Sequence, residues 1–348
     1  MQPVKIGDKL IGPNQPTFFI AEAGVNHDGD INKAKQLIDV AVEAGADCVK
    51  FQSFKTDKLL VQNLEKAEYQ KVGDGTDGNY AEMIRRLEIN EQMHVELFNY
   101  CEQKGIMFLS TPFDNESTDL LDKLGVKAFK IDSGNLNHPQ HLKHIASKSK
   151  PIILSTGMAT IGEIDEAVKA IYSTGNKQLI LLHCTSNYPP SPLDVNLKAM
   201  KTLRYQFNIP IGYSDHTPGL PVSLAAVGHG ACIIEKHFTL DRNAKGPDHL
   251  ASLEPQEVID LVKGFKMIDQ AMGSSEKQPV EAEKGVADSL RRSVVTIIDI
   301  PKGATITQEM LSIKRPGNGI PPKFKDLVVG RIAQQNIPAD STIAWSQI

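Results

Sequence analysis

GACIIEKHFTLD (residues 230–241) sets four small or apolar residues, Ala231, Cys232, Ile233 and Ile234, directly before Glu235, Lys236 and His237. The first four read as a short buried strand, whereas the next three are costly to bury unpaired. Side chains alternate along a strand, so Glu235 and His237 share one face and Lys236 takes the other. Alone, the stretch is equally a solvated strand end.

The same ending recurs along the chain. FFIAEAG (18–24) carries Glu22, DCVKFQSF (47–54) puts Lys50 and Gln52 on one face, and IMFLSTPF (106–113) ends in Ser110 and Thr111. AFKIDSG (128–134) carries Lys130, Asp132 and Ser133, and PIILSTG (151–157) carries Ser155 and Thr156. QLILLHCTSNY (178–188) offers His183, Thr185 and Tyr188, and PIGYSDH (210–216) offers Ser214 and His216.

Helical spacing fills the intervals, at 31–46, 90–105, 116–125, 161–175 and 254–272. Gly45, Gly105, Gly125 and Gly175 stand where left-handed C-caps are expected. Eight strand-then-helix units in roughly 270 residues predict an α/β chain folded as a (β/α)8 TIM barrel. In that fold the C-terminal strand ends share one active site, which accounts for the polar endings. A doubly wound sheet would gather ligands at a single switch point.

The predicted organisation is a catalytic barrel over 1–272, a linker over 273–288 and a small domain over 289–348. GSSEKQPVEAEKG (273–285) is polar and reads as exposed. In the tail, SVVTIIDIPKGATIT reads as strand and turn, QEMLSIKRP as a short helix entering a loop, and LVVGRIAQQNIPADSTI as two short strands.

A net charge of −4 without basic runs argues against a nucleic-acid partner. No apolar run approaches about 18 residues, which argues against a membrane span, and the amino terminus lacks a signal-peptide core. Cys48, Cys101, Cys184 and Cys232 lack metal-type spacing and read as buried free thiols in a reducing cytoplasm. GDGTDG (73–78) fits a dinucleotide motif only in letters, since no strand precedes it. NES (115–117) fits a glycosylation sequon only in letters.

The strand ends offer two chemistries. Lys50, Lys130, Thr111, Ser133, Ser155 and Ser214 supply cations and hydroxyls suited to a phosphate. His216 and His237 close the seventh and eighth strands, neighbours in a closed barrel. With Glu22 across the mouth they suit a divalent cation with positions open to substrate, and His27 is a further candidate.

EAGVNHDG, VKFQSFKTDKL, FLSTPFD, FKIDSGN, ILSTGMAT, LHCTSNYP, GYSDHT and EKHFTLDRNAKGPDH, in this order, resemble the sialic acid synthase family, including its N-acetylneuraminate and N,N'-diacetyllegionaminate synthases. RRSVV and KRPGNGI resemble that family's C-terminal antifreeze-like (SAF) domain. The resemblance implies condensation of phosphoenolpyruvate with an N-acylated hexosamine such as N-acetylmannosamine, by metal-dependent aldol chemistry with carbon–oxygen cleavage. It implies that His216 and His237 hold Mn²⁺ or Mg²⁺, that Lys50 and Lys130 act with Thr111, Ser133, Ser155 and Ser214 on phosphoenolpyruvate, and that Glu22 is the active-site carboxylate. Tyr188 and Asp248 would contact the sugar, with Asn187 and Asn135 also among the substrate-binding residues. Arg315 would bind the sugar's N-acyl group in the partner subunit of a domain-swapped homodimer.

One departure stands out: family members usually carry Glu or Asp where this chain has Asn135. An amide is no general base near neutral pH, so Glu22 becomes the principal candidate for activating water. N-acetylneuraminate synthesis is the first expectation, with N,N'-diacetyllegionaminate or pseudaminate synthesis as alternatives. A Schiff-base aldolase or lyase using Lys130 is the reading from another reaction class. A carbohydrate- or ice-binding protein on an inactive barrel leaves the polar strand ends without a ligand.

Overall fold

The computed structural model describes residues 1–66 and 78–348, so most of the GDGTDG stretch lies outside the described residues. The chain forms two compact units, Met1–Gly273 and Ser274–Ile348.

The first unit opens with a small antiparallel hairpin, β1 (Val4–Ile6) and β2 (Lys9–Ile11). Eight further strands follow: β3 (Phe18–Gly24), β4 (Cys48–Ser53), β5 (Met107–Pro112), β6 (Phe129–Ile131), β7 (Ile152–Ser155), β8 (Leu179–Cys184), β9 (Ile211–Asp215) and β10 (Ile233–His237). All their ladders are parallel, and β10 pairs with both β9 and β3, so the first and last strands meet. β5 and β6 pack side by side without a ladder between them. The result is a nearly closed (β/α)8 barrel, as the polar strand ends predict.

Alternation sorts the barrel interior into layers. Low in the barrel, Ile20, Cys48, Leu109, Ala128, Ile153, Leu182 and Ile233 form one apolar cluster with the hairpin's Val4, Ile6 and Ile11. Complete burial of such aliphatic side chains stabilises by about 1.5–3 kcal/mol each. Gly212 is the corresponding residue of β9, and a Cβ there would come within 2.6 Å of Leu182 and of the Ile233 carbonyl. Two residues further along every strand lies a polar layer: Glu22, Lys50, Thr111, Lys130, Ser155, Cys184, Ser214 and Glu235. The outer strand faces and the helices bury the main core, including Phe19, Val49, Phe108, Phe129, Leu154 and Leu181.

The helices follow their caps. Ile31–Ala44, Glu91–Lys104 and Asn115–Leu124 start on the side chains of Asp30, Asn90 and Asp114, and end on left-handed Gly45, Gly105 and Gly125. Gly175 is different: Ser173 caps Ile161–Tyr172, and Gly175 (φ 90°) turns the chain two residues later. Among the described residues, the helices that the sequence patterns do not predict include Pro139–Ser147, Ala199–Phe207 and Pro221–Gly228. All are short, at nine residues or fewer, so their apolar period spans little more than two turns.

In the second unit β11 (Ser293–Thr296) pairs antiparallel with β12 (Leu311–Lys314) over a core that includes Val294, Ile306, Leu311, Ile320 and Ile343. The expected loop after the short helix Gln308–Met310 is therefore a strand. Within 327–343 the two expected strands are single bridges, Thr305 with Ile332, Ile300 with Ile337 and Val295 with Thr342, and Val328 ends a helical turn. The segment read as linker is helical at Lys284–Leu290, held by Gly317 N–H donating to the Asp288 carbonyl at 2.7 Å. All four cysteines are buried and free. No helix among the described residues is long and apolar enough to cross a membrane.

Candidate active site

A cavity of about 350 Å³ opens over the polar layer at the C-terminal strand ends. Its lining unites Glu22, Lys50, Thr111, Lys130, Ser133, Ser155, Tyr188, Ser214, His216 and His237, ten of the residues singled out in the sequence.

Two buried lysines and two buried glutamates form its floor. Lys50 Nζ lies 2.6 Å from Glu22 Oε2, 3.7 Å from Glu235 Oε2 and 3.1 Å from Thr111 Oγ1. Lys130 Nζ lies 3.4 Å from Glu235 Oε1 and donates to the Ile131 carbonyl at 3.2 Å. Gln52 donates to Glu22 and Ser214 to Glu235. The register of β3 against β4 shifts between Glu22 and Gly24, just where Glu22 faces the cavity. Burial pushes Glu22 up to about 7, against the pull of Lys50 and with a further push from Glu235. Burial also opposes ionisation of Glu235, but Lys130 and Lys50 overcome it and hold Glu235 at about 2. Glu22 Oε2 and Glu235 Oε2 face the Lys50 ammonium, whereas Ser155 Oγ is buried in the floor without a hydrogen-bond partner.

The imidazoles stand together on one wall, the His216 and His237 rings 5.4 Å apart and Tyr188 4.1 Å from His216. His216 Nδ1–H donates to the Thr185 carbonyl at 3.1 Å, so Nε2 is the nitrogen that carries the lone pair when the ring is neutral. Burial, then the charges of His216 and Lys50, hold His237 well below the usual histidine range, and its Nδ1 is unpartnered. Among the described residues no group of three or more His, Cys, Asp or Glu side chains is gathered as a metal site, so a cation here would rely on the two imidazoles and on oxygens from substrate or water. His27 does not line the cavity; its Nδ1 accepts from Gly29 N–H at 3.0 Å, and burial lowers it to about 4.

The remaining sequence candidates lie elsewhere. Asp248 does not line the cavity, but its carboxylate lies 3.5 Å from His237 Nδ1. Asn187 is exposed and accepts from the Tyr188 N–H. Asn135 borders a neighbouring hollow, and its amide donates to Asp132 at 2.6 Å. Arg315 is exposed in the second unit. On β8 the phase differs from expectation. His183 bonds the Val195 carbonyl and stacks on Tyr213, so Cys184 is the residue that lines the cavity. Tyr80, Phe113, Met158 and Ser186 also line it, all from loops or short helices beyond strand ends, where the sequence carries no periodic signal.

Lys236 takes the opposite face from Glu235. Its ammonium bonds Asp215 Oδ2 at 2.7 Å and the Thr217 carbonyl at 2.6 Å, while Asp215 also accepts from Ser223, Tyr213 and Thr217. This satisfied network anchors the end of β9, from which His216 departs.

Residues 37–277 match the NeuB family, and residues 291–348 match the SAF domain. The chain belongs to the NeuB family. This NeuB-family chain is 46% identical over 346 residues to an N,N'-diacetyllegionaminic acid synthase of Legionella pneumophila, covering 98% of this chain and 97% of the relative. It is 47% identical over 329 residues to a Campylobacter jejuni protein of the same name, covering 94% and 98%. Among solved structures, an N-acetylneuraminic acid (sialic acid) synthetase from Leptospira borgpetersenii in complex with citrate superimposes with a TM-score of 0.73 at 35% identity, covering 82% of this chain and 95% of that one. The NeuB-family chain thus belongs to the sialic, legionaminic and pseudaminic acid synthase family, with a barrel and a C-terminal SAF domain.

Proposed function

We propose that this protein condenses phosphoenolpyruvate with an N-acylated hexosamine, and that its acceptor is a 2,4-diacetamido-6-deoxy sugar giving N,N'-diacetyllegionaminate. The observation that carries the reaction class is the floor: two lysines among hydroxyls, between two glutamates of opposite proton affinity, beside two imidazoles. The relatives at 46% and 47% identity favour the diacetylated acceptor over N-acetylmannosamine, the first expectation from sequence.

In this reading Lys50 and Lys130 hold the phosphate and carboxylate charge of phosphoenolpyruvate, with Thr111, Ser133, Ser155 and Ser214 as directional donors. Carbon 3 of phosphoenolpyruvate bonds to the acceptor's aldehyde carbon, the carbonyl π pair moves onto its oxygen, which takes a proton to become a hydroxyl, and positive character develops at carbon 2. Water adds at carbon 2 and Glu22 takes its proton, a task matched to a carboxylate near 7. The carbon 2–oxygen bond then breaks, phosphate leaves with the bridging oxygen and takes the proton of the new hydroxyl, and the keto group forms. Glu235 remains ionised and balances the lysines.

His216 and His237 fit a divalent cation, Mn²⁺ or Mg²⁺: one has its free nitrogen set by the Thr185 carbonyl, and the other has a buried Nδ1 that makes no hydrogen bond, with the Asp248 carboxylate 3.5 Å away. When bound, such a cation polarises the acceptor's aldehyde. The resemblance also supports action of Arg315 on a partner's acceptor. Mixing inactive Arg315→Ala and His216→Ala subunits then restores activity, and inactive mixtures that contain proven heterodimers overturn it.

The test of the reaction is phosphate release from phosphoenolpyruvate labelled with ¹⁸O at the bridging position. Label in phosphate, and faster release with the 2,4-diacetamido-6-deoxy sugar than with N-acetylmannosamine, is expected. Label retained in the sugar acid overturns the carbon–oxygen cleavage, and a pyruvate adduct on Lys130 trapped by borohydride overturns the synthase.

A further inference from the structure

Of the three carboxylates that line the barrel cavity, two are committed to lysines. Glu22 is paired with Lys50, and Glu235 with Lys50 and Lys130. The third, Asp132, follows directly on β6 and is half-buried at the cavity wall. Among the described residues no cation pairs with it.

Asp132 is nevertheless held in place. Its Oδ1 accepts from Asn135 Nδ2 at 2.6 Å and its Oδ2 accepts from Gly134 N–H at 2.8 Å. A Cβ on residue 134 would lie 2.8 Å from that Oδ2, so a glycine is what lets the backbone approach this closely. An ionised carboxylate has about four lone-pair sites. Two are filled by these donors, and those left over belong to a group that only accepts. The lysines below suit an anionic substrate, which Asp132 would repel. A neutral donor suits Asp132.

Resting on the proposed function, we propose that Asp132 reads the acceptor sugar by accepting a hydrogen bond from one of its hydroxyl or acetamido N–H groups, and that Asn135 is the positioning residue that aims it. Asn135 itself borders the neighbouring hollow rather than the barrel cavity, so it acts through Asp132.

The experiment compares full-length wild type, Asp132→Ala, Asp132→Glu, Asn135→Ala and the Asp132→Ala/Asn135→Ala pair in steady-state phosphate release. Phosphoenolpyruvate and the better of the two acceptors are each varied. Loss of a hydrogen bond to a charged acceptor predicts an acceptor KM about 10- to 100-fold higher in Asp132→Ala, with the phosphoenolpyruvate KM unchanged, which also shows that the variant folds. Asp132→Glu recovers part of the loss. Asn135→Ala raises the acceptor KM less, and adds nothing in the Asp132→Ala background, because residues that act as one unit are not additive. An unchanged acceptor KM in Asp132→Ala, with wild type turning over, overturns the assignment of Asp132. A full, additive effect of Asn135→Ala overturns its positioning role. If wild type releases no phosphate with either sugar, the proposed function fails and this inference fails with it.

Discussion

Glu22 and Glu235, on adjacent strands β3 and β10, flank the Lys50 ammonium at 2.6 and 3.7 Å, yet one is pushed up to about 7 and the other held at about 2. Burial opposes the charge on both. Each accepts one neutral hydrogen bond, Glu235 from Ser214 and Glu22 from Gln52, but Glu235 has a second cation, Lys130, while Glu22 has one lysine and feels the charge of Glu235. Carboxylates separated in this way divide acid–base work from charge balance.

That separation predicts a pH profile. As a base, Glu22 must be ionised, so the rate falls as pH drops through about 7. Glu22→Gln lowers kcat by about 10²- to 10⁴-fold and removes that limb. The stability effect has the opposite sense. A carboxyl raised in the folded state contributes stability that is complete below its unfolded value of 4.5 and lost as pH rises through about 7. Glu22→Gln therefore unfolds with a weaker pH dependence between these limits, as urea titrations at several pH values would show. An acid limb that persists unchanged in the variant assigns the base elsewhere.

Replacing Lys50 or Lys130 by Met keeps the stem and deletes the charge. Each variant raises the phosphoenolpyruvate KM by about 10- to 100-fold while affecting the acceptor far less. Initial-rate kinetics with each substrate varied separate the two effects, and equal phosphoenolpyruvate KM values in wild type and both variants would refute the assignment.

Chelator treatment followed by Mn²⁺ or Mg²⁺ restores activity if the two imidazoles hold a cation. Mn²⁺ binding followed by electron paramagnetic resonance gives a readout without turnover, and His216→Ala and His237→Ala each abolish it. Full activity of the stripped protein would exclude the metal.

Lys236 and Asp215 are buried at 1% and 0% side-chain exposure and make a network with every charge paired. Lys236→Met leaves Asp215 buried without its cation and costs about 3–5 kcal/mol. The Lys236→Met/Asp215→Asn pair recovers part of this, measured by urea unfolding. A Lys236→Met protein as stable as wild type would show that the pair is not a structural anchor.

How far the sequence carries is visible on single strands. Glu235 and His237 are legible because an apolar strand ends in titratable residues whose alternation puts them on one face. Lys50, Thr111, Lys130, Ser155 and Ser214 follow by the same step. On β8 it fails: in LILLHC both faces of a parallel strand are buried, so hydrophobicity gives no phase, and only packing shows that Cys184 faces inward and His183 outward.

By itself, then, the sequence determined the barrel, because the alternation of strand and helix and the position of a polar residue two steps beyond an apolar one are local properties of the chain. What only the tertiary structure decided was how those residues act on each other. Lys50 meets Glu22 across 28 residues and Glu235 across 185, and the unequal sharing of two lysines between two buried carboxylates sets their proton affinities. Asn135 likewise reads as a missing carboxylate in one dimension, and in three it is the amide that aims Asp132. Charge interactions and hydrogen bonds depend on distance through space, which closure of the barrel creates and no local pattern encodes.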